Sequence, residues 1–296
     1  MNNVAGPFLI LAAALLWGTD SLFRYSMSSK IDATWIVLLE HLGIILLVPG
    51  LVRKKETRLF QLGWKEWLCA AITGVGGGAL ATTLFTASFR YIHPSVAILL
   101  QKLQPILTVL LAGVFLGEKP KTRFYPFALL GLCAALVLSF PDLNFRFIFE
   151  THNLHSRGIA MTLVAAGLWS LATIAGKRML QTTPSEVATF WRYFFGLITL
   201  VGLVAAAKTP VPAQALTERP VQLALLYLTV LSGVVPMLAY YAGLARTTAS
   251  VATFVELAYP VSAVTLNAWL MNQPLTQVQL GAGGVLLFSV TMMALL

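Results

Sequence analysis

The sequence predicts an all-α membrane protein of ten transmembrane helices, built as two inverted five-helix repeats. Three observations predict it. Apolar segments of membrane-spanning length follow one another from end to end. Short patterns in the first half return in the second at a fixed spacing. The number of spans in each copy is odd.

Hydrophobic residues make up 58% of the 296 and charged residues only 10%, against roughly 25% charged in a soluble domain. Mean hydropathy is +0.80. Ten segments are each about long enough to span, near 5–27, 31–52, 64–90, 94–116, 123–140, 156–180, 185–207, 221–245, 249–271 and 275–296. A hydrocarbon core offers the backbone no water, so each is expected to be a helix. Turn and stop residues mark the breaks: Ser28-Ser29-Lys30, Arg53-Lys54-Lys55-Glu56, His93-Pro94, Lys119-Pro120-Lys121 and Thr183-Pro184. The first apolar run is too long for a signal-peptide core, and no basic residue precedes it. The net charge of +9 does not point to nucleic acid, because the basic residues cluster in short loops.

The longest gap, Phe140 to Arg157, divides the chain into halves of 1–148 and 149–296. Trp17 is answered by Trp169 and Gly50-Leu51 by Gly202-Leu203, each 152 residues on. Ser95-Val96-Ala97 and Pro105 are answered by Ser250-Val251-Ala252 and Pro260, each 155 residues on. Five spans return the chain to the opposite face, so a same-order repeat becomes an inverted structural one. Secondary transporters built this way hold their site at the midplane between repeats. The loops after spans 2 and 4 contain Arg53, Lys54, Lys55, Arg58, Lys65, Lys119, Lys121 and Arg123, whereas their second-half counterparts contain Lys208 and Arg219. That asymmetry puts the first set, and both termini, in the cytoplasm. An inner-membrane location is expected.

With these features the chain resembles the ten-helix, EamA-type branch of the drug/metabolite transporter superfamily. The resemblance rests on Leu15-Leu16-Trp17-Gly18-Thr19, on Ala97 through Pro105, on Gly117-Glu118 and on Ser250 to Pro260. The chain departs from the pattern at Asn272-Gln273 and at Glu40-His41, whereas Arg192 keeps the family's arginine. The resemblance implies alternating-access export of small metabolites, often amino acids or amphipathic compounds, without ATP hydrolysis. It also implies a cavity built from spans 1, 3, 4, 6, 8 and 9.

Ionisable groups at membrane depth are costly and usually face a partner or a wet cavity. Glu40 or Glu256 would serve as a proton or cation site, and Lys102 or Arg192 as a carboxylate anchor; alternatively they pair with one another structurally. Glu40 and Arg192 occupy equivalent positions with opposite charge, which suits a zwitterion. Trp17 and Trp169 would stack on a cargo ring or pack on helices, and Tyr240, Tyr241 and Tyr259 would line the same space. Pro105, Pro260, Gly77 and Gly233 would supply bends. Asp20 and Arg24, spaced i,i+4, read as a pair at the outer rim. Glu118 is expected among the loop lysines, Lys177 and Arg178 as orientation anchors, and Cys69 and Cys133 as buried packing residues.

The dinucleotide-like run from Gly74 to Ala79 follows no strand and reads as close helix packing. His152 and His155 lack a third ligand, so no metal or other cofactor is expected. With no nucleophile constellation either, an enzyme is not expected. Amino acids, aromatic ones included, are the favoured cargo, and the alternative is proton-coupled export of lipophilic cations. The expected partners are a small-molecule substrate, the bilayer and protons, for a monomer or homodimer.

Overall fold

The computed structural model describes the backbone of residues 5–52, 59, 61–92, 94–139, 142, 153–270 and 275–296. All regular structure among these residues is helical. Spans 1, 3, 6, 7, 8 and 10 are Ala5–Ser28, Trp64–Ser88, Ser156–Met179, Ser185–Ala207, Arg219–Ala245 and Gln277–Leu295. Span 2 is Ala33–Val52, span 4 is Pro94–Gln101 then Gln104–Phe115, and span 5 is Phe124–Ser139. Span 9 is Ala249–Val255, continued by a 3₁₀ turn into Tyr259–Leu270. The basic run Arg53-Lys54-Lys55-Glu56, Arg58, His93, His152 and Asn272-Gln273 lie outside the described residues.

Among the described residues span 1 is interrupted at Gly18-Thr19, and four further spans depart from regular α-helix in symmetric pairs. Pro105 has no N–H to give the carbonyl of Gln101, and span 4 opens into a turn at Lys102-Leu103. Pro260 likewise fails Glu256, and span 9 tightens to 3₁₀ over Glu256–Ala258. Spans 3 and 8 widen into π-helix over Ile72–Ala81 and Leu228–Val234. The four bend residues expected from the sequence sit in these irregular stretches or one turn from them. Such wide turns concentrate at functional sites.

The halves interleave. Span 1 packs on span 8, and span 6 on span 3. Spans 2 and 7, 4 and 9, and 5 and 10 pack directly on their repeat mates. Small residues permit the approach, as expected where lipid supplies no drive for helices to associate. A Cβ on Gly243 would lie 2.6 Å from the carbonyl oxygen of Gly6, and one on Gly74 only 2.5 Å from that of Arg192. Leu46, Val114 and Trp269 stay exposed on outward faces. Cys69 is buried, but Cys133 is exposed, because its position on span 5 faces away from the bundle.

Glu118, expected among the loop lysines, and Lys177, expected as an orientation anchor, each close a helix end. Past Gly117, whose φ of +66° turns the chain, the Glu118 carboxylate accepts from the N–H groups of Ala249 and Ser250 at 2.7 and 2.9 Å. It also accepts the Ser250 hydroxyl at 2.7 Å, so span 4's end caps the start of span 9. Lys177 donates to the carbonyls of Leu244 at 2.9 Å and Thr247 at 2.5 Å, satisfying the end of span 8.

Gly74→Leu should cost about 1–3 kcal/mol through overpacking against span 7, read as a lower melting temperature in detergent. Gly202→Leu, with open space around its Cβ, should leave that temperature unchanged. Equal melting of the two variants would contradict the packing.

Candidate functional site

The breaks in spans 4 and 9 and the π-helical stretches of spans 3 and 8 surround one cavity of about 160 Å³. All nine residues expected at a site line it. Trp17, Glu40, Lys102 and Trp169 contribute from spans 1, 2, 4 and 6. Arg192, Tyr240, Tyr241, Glu256 and Tyr259 contribute from spans 7, 8 and 9. Of the four bend residues, Pro105 also reaches the lining.

The two tryptophans are pinned by the halves they do not belong to. Trp17 Nε1 donates to the carbonyl of Ser232 at 3.0 Å, and Trp169 Nε1 to that of Gly77 at 3.1 Å. Ser232 and Gly77 are repeat mates, each within a π-helical stretch. The Gly77 carbonyl also accepts the Thr82 hydroxyl of its own span at 3.2 Å, so there the indole of the opposite half is a further donor on the wide turn. The fixed rings then serve as walls. Trp17 lies 5.2 Å from Tyr240, which lies 5.9 Å from Tyr241. Phe85 lies 5.2 Å from Trp169 on the other side.

Charge is arranged unevenly around these rings. Arg24 Nε donates to Asp20 at 2.9 Å, and its Nη2 contacts Glu40 at 2.8 Å. Asp20 also accepts the Ser232 hydroxyl at 3.0 Å. The Asp20–Arg24 pair, expected at the rim, therefore belongs to the cavity wall, with Arg24 buried and Asp20 partly buried. Span 1 is interrupted at Gly18-Thr19, and Arg24 meets span 2 after the restart at Asp20. Glu40, expected as a proton or cation site, has its carboxylate engaged by Arg24. Arg192 donates to the Thr73 carbonyl at 3.0 Å, on the wide part of span 3. His41 is buried against Gly78 and Gly196, with Nδ1 bonded to Val37 at 2.9 Å.

Several lining residues lie beyond what the sequence pattern marks: Tyr193, Thr173 and Phe85. Tyr193 follows Arg192 directly, so proximity to an ionisable residue is the signal that could have found it. Thr173 reaches the Tyr240 hydroxyl at 3.1 Å; nothing local marks it. Among the described residues, no His, Cys, Asp and Glu cluster fits a metal ion.

Removing Arg24 should be destructive, because Glu40, buried, and Asp20, partly buried, would be left uncompensated. Arg24→Gln should cost about 3–5 kcal/mol, seen as lost folded yield in detergent. Arg24→Gln with Asp20→Asn and Glu40→Gln should recover much of that yield. A fully stable single variant would contradict the triad.

The sequence matches the EamA-like transporter family twice, over residues 4–140 and 156–295. Riboflavin transporter ImpX of Fusobacterium nucleatum is 28% identical, over 98% of this chain and 97% of its own length. An uncharacterized transporter of Clostridium kluyveri is 24% identical over 90% of this chain and 86% of its own length. A protein of known crystal structure superimposes with a TM-score of 0.76 at 19% identity, covering 96% of this chain and 94% of that one. Both halves thus match one family, and the chain belongs to the EamA-like transporter family.

Proposed function

We propose that this transporter moves small, planar, aromatic metabolites by alternating access, with the central cavity as the cargo site. One observation supports this above the others. Trp17, Tyr240 and Tyr241 form a continuous aromatic wall, edged by polar groups, in which hydrogen bonds hold Trp17 and Tyr240. Ring pairs add about 0.5–1.5 kcal/mol each beyond their burial, so such a wall favours a flat ring system over an aliphatic one. The 28% identical relative named as a riboflavin transporter makes a flavin-type ring the first candidate. Aromatic amino acids are the second. Lys102 and Glu256 come from the repeat-related breaks of spans 4 and 9, and so offer a cation and a carboxylate to a zwitterion.

In this mechanism the halves, divided near residue 148, exchange conformations about Pro105, Pro260, Gly77 and Gly233. Outward movement is the proposed direction, through a cytoplasmic membrane with both termini inside. One chain contains both halves of the path, so a monomer suffices.

A proton-coupled route for lipophilic cations rests on Glu256. Among the described residues it is the cavity carboxylate with no cation within ion-pair distance. Glu256→Gln should then abolish uptake driven by a pH gradient; uptake equal to wild type would remove that route.

Proteoliposomes loaded with riboflavin or tryptophan should show counterflow of the labelled compound. Trp17→Ala and Tyr240→Ala should each weaken binding about tenfold. Absence of movement of either compound in both directions would reject the aromatic cargo.

A further inference from the structure

We infer that the cargo is an anion, and that Lys102 is the residue that selects its charge. The inference rests on the aromatic cargo site proposed above and narrows its chemistry. Three cations and three carboxylates line the cavity. Arg24 is spent on Asp20 and Glu40, and Arg192 on a backbone carbonyl of span 3. Glu256 adjoins Tyr240 and Gln104. Lys102 is different. It is only 6% exposed, and among the described residues no carboxylate lies within ion-pair distance of it. Its described contact is with the ring of Tyr259, whose centroid is 5.4 Å from Nζ.

The repeat does not demand a cation here. The mate of Lys102, 155 residues on, is Leu257, a buried side chain. Pro105 and Pro260 break their spans with lysine at one mate position and leucine at the other. The ammonium is thus extra to the fold, and an isolated charge at membrane depth is costly. A ring face steadies a cation but does not neutralise it. A carboxylate or phosphate on the cargo would complete the pair, while the ring of the same molecule rests on the Trp17 and Tyr240 wall. Flavin mononucleotide would then be preferred to neutral riboflavin, and an indole carboxylate to an indole amine.

Calorimetric titration of the purified protein with two matched series tests this. One series is riboflavin and riboflavin 5′-phosphate; the other is tryptamine, tryptophan and indole-3-propionate. In each, the anionic member should bind about tenfold or more tightly than the neutral or cationic one, as expected for a charge-assisted hydrogen bond. Lys102→Gln should erase the preference and Lys102→Arg should keep it. Lys102→Met, an apolar side chain like that of the Leu257 mate, substitutes where the glutamine variant does not fold. Equal binding across charges in the wild type, or a preference that survives Lys102→Gln, overturns the role of Lys102 while leaving an aromatic cargo intact. If no member of either series binds, the cargo is not aromatic, and the anion assignment falls with it.

Discussion

Two indole N–H groups hold the centre of this protein together. Each reaches from the first span of one repeat to a carbonyl on the π-helical span of the other. Inside a bilayer an unsatisfied carbonyl has no water to turn to. The wide turns that shape the cavity wall take side-chain donors from Trp17 and Trp169 across the interface, and at Gly77 also from the Thr82 hydroxyl of the same span. Each indole bond ties a wide turn of one half to the first span of the other. Neither half has both the carbonyl and the indole that satisfies it.

The charges follow from that arrangement. Ser232 gives its carbonyl to Trp17 and its hydroxyl to Asp20, so the wide part of span 8 also orients one carboxylate of the Arg24 triad. Arg192 donates to Thr73 on the wide part of span 3, the symmetry-related element. Buried ion pairs contribute little net stability but penalise a missing partner heavily. The triad therefore fixes the register of spans 1 and 2 more than it stabilises them. Lys102 stands outside this compensation, on the flank of a proline break where the neighbouring wall is aromatic.

Much of this is legible in the chain. Hydropathy locates the ten spans, and the fixed spacing of the repeats points nine ionisable and aromatic residues to one place. Period alone cannot give partners. The i,i+4 spacing puts Asp20 and Arg24 on one face of span 1, but the packing of that face on Glu40 depends on how the span restarts after Gly18-Thr19. Glu118 looks like loop charge and Lys177 like an orientation anchor because their partners, the start of span 9 and the end of span 8, are remote in sequence. The run from Gly74 to Gly78 reads as a flexible or close-packed point. It is both tightly packed and π-helical, and beside the Thr82 hydroxyl the other side-chain donor to Gly77 lies 92 residues away.

The crossed indole bonds can be observed directly. In ¹⁵N-indole spectra of the detergent-solubilised protein, resonances assigned through Trp17→Phe and Trp169→Phe report the exchange of each Nε1 proton with solvent. Trp64, 72% exposed, supplies the unprotected reference. Both Trp17 and Trp169 protons should exchange far more slowly than that of Trp64. Exchange of either at the Trp64 rate would mean that its carbonyl is not held from the opposite half, and the interleaved repeat would lose its central bond.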